Sequence, residues 1–151
     1  MNEVEYTLNR IFEKINILNG DIMNEKQTEN FLELLSINNK ITELKLLHFP
    51  SSGLKKLSHI LINENMNINS LELRGLRKIK KKIKSKDFPN FQDEEVEYLN
   101  EILKKNKRIE KLKLISTLRI QDIENFFQIL SNNTTIKTLS LKRKKNNTKT
   151  F

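Results

Sequence analysis

The sequence predicts an α/β fold, with short parallel strands in one layer and helices in a second. Three observations predict it. First, four windows align without gaps: "LLSINNKITELKL" (34–46), "LINENMNINSLEL" (61–73), "ILKKNKRIEKLKL" (102–114) and "ILSNNTTIKTLSL" (129–141). Their first two columns are always Leu or Ile, the fifth always Asn, the eighth always Ile, and the eleventh and thirteenth always Leu. Second, the windows start 27, 41 and 27 residues apart, the middle spacing exceeding the other two by 14. Third, apolar residues upstream recur at helical spacing: Val96, Leu99, Ile102 and Leu103, then Ile123, Phe126, Ile129 and Leu130. One such column could arise by chance, but hardly six in register.

Taken in chain order, the first element is a strand near 15–17. It lies in a weaker copy of the pattern, "FEKINI" (12–17), with Ile15 and Ile17 as its inward pair. Further strands are expected near 44–46, 71–73, 112–114 and 139–141. Each "LxL" places two Leu side chains on one face and the residue between them on the other. A helix precedes each window. The fifth-column residues Asn38, Asn65, Asn106 and Asn133 stand where that helix stops, and Asn tolerates a left-handed cap there. The cluster "DEEVE" (93–97) reads as the acidic first turn of a helix, complementing its dipole. A helix with one short strand cannot bury its apolar side alone, whereas stacked copies can.

Through "ITELKL", "INSLEL", "IEKLKL" and "IKTLSL" the chain resembles the leucine-rich repeat family. The period near 27 and the helical back most resemble its ribonuclease-inhibitor-like subclass. The resemblance covers nearly all of the chain. It implies a leucine-rich-repeat solenoid: a short, curved, right-handed horseshoe with the parallel sheet on its concave face and helices on its convex face. A single domain of four to five repeats would then occupy residues 1–151, with a basic insertion at 74–91 and a basic tail at 142–151. One departure is plain. The family usually places Asn or Cys three residues after the last strand Leu, and here those positions hold Gly20, Phe49, Leu76, Thr117 and Lys144.

Composition narrows the function. Hydrophobic residues make up 36% and charged residues 31%, which permits one core under a heavily solvated surface. With no Cys, disulfides, thiolate catalysis and Cys-type zinc sites are excluded. His48 and His59 lack neighbours at metal-ligand or triad spacing. Gly20, Gly53 and Gly75 are too scattered for a phosphate-cradling loop. No enzyme, cofactor or metal is expected. No apolar run reaches membrane-spanning length, and "MNEVEYTLNR" does not read as a secretory signal. An intracellular, by default cytoplasmic, location follows, and "KRKK" (142–145) also fits a nuclear localisation signal.

The charge is unevenly spread. Of the net +9, eight basic residues fall in "RGLRKIKKKIKSK" (74–86) and five in "KRKKNNTKTF" (142–151), neither with an acidic residue. The remainder holds 15 basic against 19 acidic residues. Lys, Asn and Ile supply 60 of the 151 residues, a bias that also fits an AT-rich coding sequence and a merely solvated insertion and tail. Both segments leave strands at the same point, so parallel strands put them on one edge. That basic edge comprises Arg74, Arg77, Lys78, Lys80, Lys81, Lys82, Lys84, Lys86, Lys142, Arg143, Lys144 and Lys145. Leu76, Ile79 and Ile83 would share one face of a basic amphipathic helix in the insertion.

Two functions are in play. The first is a non-catalytic protein-interaction or scaffold module, including a subunit of a larger assembly. It would bind another protein through the outward strand positions Glu43, Lys45, Ser70, Glu72, Lys111, Lys113, Thr138 and Ser140. The alternative is an adaptor that contacts nucleic acid or an anionic membrane surface through the basic edge. The last strand, followed only by "KRKKNNTKTF", also marks an uncapped edge open to self-association.

Overall fold

The computed structural model describes residues 14–19, 23–77, 91–115 and 118–142. Strands and helices alternate: β1 (Lys14–Asn19), α1 (Glu25–Ile37), β2 (Glu43–Pro50), α2 (Leu54–Ile62), β3 (Ser70–Arg77), α3 (Asp93–Lys105), β4 (Lys111–Ile115), α4 (Ile120–Ser131) and β5 (Thr138–Lys142). The five strands form one parallel sheet in sequence order. Among the described residues each crossover contains one α-helix, and consecutive helices pack side by side. Right-handed crossovers between sequential parallel neighbours put every helix on the same side. The result is two layers, with one face of the sheet covered and the other open.

The register explains why the aligned Leu columns exist. Leu44, Leu71, Leu112 and Leu139 lie opposite one another across β2 to β5, and Leu46, Leu73, Leu114 and Leu141 do the same. Between them and the helices lies the core, where Phe49, Phe91 and Phe126 are the largest fully buried side chains. Each buried Leu or Phe stabilises by about 1.5–3 kcal/mol relative to exposure. Phe91 and Leu118, just ahead of α3 and α4, seal the entry to each helix.

The helix starts follow their sequences. Asn24 caps α1 in a reciprocal box: its Oδ1 accepts from Gln27 N at 2.8 Å, and Gln27 Oε1 accepts from Asn24 N at 2.9 Å. A 3-10 turn, Ser51–Gly53, leads into α2. A Cβ on Gly53 would lie 2.8 Å from Thr28 Cγ2 and 3.0 Å from Phe49 Cε1, so only glycine fits where this turn meets α1 and β2. Helix α3 opens with Asp93, Glu94 and Glu95 and closes with Lys104 and Lys105, both favourable to its dipole. The acidic cluster is thus the helical first turn that its pattern indicated.

Three expectations need correction. The strands β2 and β3 run past 46 and 73, to Pro50 and Arg77. Arg74 and Arg77 therefore belong to the sheet rather than to an insertion, and Leu76 lies in a strand rather than on a helical face. Ile79 and Ile83 lie outside the described residues. The cause of the extension is a matched kink. His48 (φ 50°) and Gly75 (φ 61°) take left-handed conformations at adjacent points, between the registered pairs Leu47–Arg74 and Phe49–Leu76. The kink shifts the phase of alternation, so Phe49 and Leu76 turn inward and are completely buried. These are two of the positions where the resemblance to leucine-rich repeats implies Asn or Cys. Gly75→Ala should therefore destabilise by about 1–2 kcal/mol, because a Cβ penalises this backbone region. A chemical denaturation midpoint unchanged by the substitution would refute the kink.

The third correction concerns the Asn column. Asn38 (φ −103°, ψ 103°) and Asn106 (φ −75°, ψ 131°) cap their helices in extended conformation, not a left-handed one. In the second window the cap is Asn63 (φ −63°, ψ 128°), and Asn65 falls in the turn beyond it. The side chains do the work instead. Asn106 Oδ1 accepts from Arg108 N and Ile109 N, each at 2.8 Å, while its Nδ2 donates to Leu61 O at the end of the preceding helix. Asn133 repeats this one step on: Oδ1 accepts from Thr135 N and Ile136 N at 2.8 Å, and Nδ2 donates to Leu103 O at 2.9 Å. Each of these two Asn residues folds its own turn and ties it to the helix before.

Among the described residues no helix is long and apolar enough to cross a membrane.

Candidate functional site

The open face of the sheet carries the outward positions in ordered rows. Glu43, Ser70, Lys111 and Thr138 form one row, and Lys45, Glu72, Lys113 and Ser140 the next. All eight predicted residues are therefore brought onto one surface, with neighbours about 4.8 Å apart across the strands. Lys111 and Thr138 are exposed, and the other six are half-buried. Lys113 Nζ lies 3.5 Å from Glu72 Oε1. A solvent-facing pair of this kind contributes about 0–1 kcal/mol and orients the two side chains more than it stabilises the sheet.

A third row joins Leu47, Arg74, Ile115 and Lys142, of which Leu47 and Ile115 were not among the predicted site residues. It alternates half-buried aliphatic side chains with exposed cations. The alternation beyond Leu114 already placed Ile115 outward, and Leu47 follows Leu46 in the same way. Across the three rows, acidic residues sit only on β2 and β3 (Glu43 and Glu72). Strands β4 and β5 contribute Lys111, Lys113 and Lys142 with no acid. The open face is cationic on that half.

Of the predicted basic edge, Arg74 and Lys142 occupy the third row, separated by Ile115, about 10 Å apart at two strand steps. Arg77 pairs with Pro50 at the end of β3. Lys78, Lys80, Lys81, Lys82, Lys84, Lys86, Arg143, Lys144 and Lys145 lie outside the described residues.

Away from the sheet, Arg119 ties two helix starts together. Its Nε donates to Asp122 Oδ2 at 2.6 Å and its Nη2 to Asp122 Oδ1 at 3.1 Å, with a further contact from Nη2 to Asp93 Oδ1. Hydrogen bonds to Asp122 first and Asp93 second hold the guanidinium's pKa above its ordinary value. This cluster joins α3 to α4 and pairs Arg119 with Asp93, which the sequence showed only as part of an acidic turn. His59 is exposed in the last turn of α2, and His48 marks the kink in β2. Among the described residues no group of three or more His, Cys, Asp or Glu is placed to hold a metal ion.

No protein-family model matches the chain, and no curated protein sequence matches it either. Among solved structures it is similar to Leiomodin-1 Actin-Binding Site 2 (ABS2), with a TM-score of 0.58 and 14% sequence identity. The match covers 93% of this chain and 80% of that one. At that identity the likeness is one of fold.

Proposed function

We propose that the chain is a non-catalytic protein-binding module of the leucine-rich-repeat kind, and that its partner lies on the open face of the sheet. The observation that carries this reading is the three-row surface, whose spacing is fixed by the backbone ladder and whose β4–β5 half is cationic. Such a surface favours a partner that presents acidic side chains among apolar ones. The structural neighbour, named as an actin-binding site, adds support for protein binding on a fold of this type. A charge-reversal variant, Arg74→Glu with Lys111→Glu and Lys113→Glu, tests it. Affinity capture with the parent chain and with this variant, both shown to be folded, should differ by loss of the specific partner. Identical captured sets would sink the reading.

A second reading is favoured by Arg74 and Lys142 sharing one row: a polyanion held along the basic edge. Removing 78–86, or trimming from Lys142, should then weaken heparin or DNA binding by comparable amounts. Steep loss between low and physiological salt should accompany it. Binding untouched by both changes would end this alternative.

A further inference from the structure

The third row of the open face gathers cations around one aliphatic side chain. Ile115 on β4 stands between Arg74 on β3 and Lys142 on β5, about 4.8 Å from each across the ladder. Lys113 precedes it by two residues on the same face of β4, about 6.6 Å away along the strand. Cations therefore flank Ile115 on three sides. Arg74 and Lys142 are exposed, and neither makes an ion pair or a side-chain hydrogen bond among the described residues. Arg74 stays unpaired although Glu72 lies two residues before it on the same face. That carboxylate meets Lys113 instead, at 3.5 Å. Three cations against one carboxylate leave this corner a net charge of +2. Ile115 itself is half-buried and lays an apolar floor between them. Over such a floor a charge-assisted hydrogen bond is stronger than in open water.

We infer that this corner seats a phosphorylated serine or threonine side chain of a protein partner. The inference rests on the proposed reading that the partner lies on the open face, and it names the group recognised there. A phosphoryl group carries a charge of about −1.5 to −2 at neutral pH and three acceptor oxygens. Its charge matches that of the corner, and its oxygens match donors placed on three sides. An Asp or Glu of the partner offers one negative charge and two oxygens, so it leaves a cation and a donor unmatched. Arg74 supplies the forked guanidinium that binds phosphate through two parallel bonds. A nucleic-acid strand suits the corner less well. It repeats its phosphates, and those that followed across the face would meet Glu72 on β3 and Glu43 on β2. A single phosphorylated side chain avoids Glu43 and finds Glu72 already engaged by Lys113. Binding on this face then depends on phosphorylation of the partner.

Degenerate peptide libraries test the seat. They are fixed only at a central phosphoserine, Ser or Glu and passed over the immobilised full chain. The phosphoserine library should be retained about tenfold or more over each of the others. Arg74→Ala and Lys142→Ala, checked by circular dichroism for an unchanged fold, should each abolish most of that preference. Lys56→Ala removes the same charge from an exposed position on α2 and should leave it intact. A second measurement needs no variant: phenyl phosphate titrated into the parent chain should shift the Ile115 methyl signals in NMR spectra, and benzoate at equal ionic strength should not. Equal retention of the three libraries, an unmoved Ile115, or a loss with Lys56→Ala as large as with Arg74→Ala overturns the inference. So does a single-stranded oligonucleotide that shifts Ile115 and binds more tightly than the phosphoserine library, which would return the corner to the polyanion reading. Phosphatase treatment separates this inference from the reading beneath it. A partner lost on charge reversal of the open face, yet captured equally before and after phosphatase treatment, leaves the open-face reading standing and the phosphate seat refuted.

Discussion

Leu114→Asp and Leu112→Asp should each unfold the protein, while Lys113→Asp, which lies between them, should leave it folded. The two leucines are 1% and 2% exposed, and each is flanked on its own face by the equivalent leucine of β3. An Asp there loses the packing of a buried Leu and places a carboxylate among side chains that offer it no cation or donor. The combined cost is about 4 kcal/mol or more, a large part of the 5–15 kcal/mol that typically holds a domain together. Lys113 points to the open side, and its pair with Glu72 is solvent-facing. Reversing its charge costs about 1 kcal/mol or less. Thermal melts followed by circular dichroism separate these outcomes. If Lys113→Asp proves as harmful as Leu114→Asp, the assignment of faces is wrong.

That experiment also shows how much of the molecule the sequence discloses. Leu columns two residues apart disclose which side of each strand is covered, because the period of a strand is short and survives in a five-residue segment. The eight outward positions follow from the same alternation, and the register between strands follows from the equal columns. The ends of β2 and β3 are not legible in this way. At His48 the chain carries no glycine to announce a left-handed residue, so the phase shift that buries Phe49 has no local signal. Gly75 gives such a signal in β3, but it becomes readable only when its partner strand is known to bend at the same place. The pairing of Arg74 with Lys142 across Ile115 was accessible from the strand exits. Arg119 was not, because its partners Asp93 and Asp122 come together only after α3 and α4 have packed.

The Asn column is the sharpest case, because a visible pattern carried a different physical job from the one its position suggested. Asn at a helix end has two uses: a backbone that tolerates the left-handed region, or a side chain that both donates and accepts. The two uses make opposite predictions for Asn106→Gly. If the residue were a left-handed cap, glycine would be neutral or stabilising. With its backbone extended and its side chain bridging, glycine should be at least as harmful as alanine. Truncation removes the acceptor for Arg108 N and Ile109 N and the donor to Leu61 O. Asn106 is 6% exposed, so water cannot freely replace those bonds. Leaving a buried donor or acceptor unsatisfied costs about 1–3 kcal/mol, so Asn106→Ala should lose about 3 kcal/mol in all, and Asn106→Gly no less. Asn133 makes the same three kinds of bond at a half-buried site, where solvent can compensate. Asn133→Ala should therefore cost about half as much. Urea denaturation of the three variants is the measurement. An Asn106→Gly protein as stable as the parent would return the column to its conformational role, whereas a graded loss with Asn106 above Asn133 identifies the side chains as the ties between successive turns.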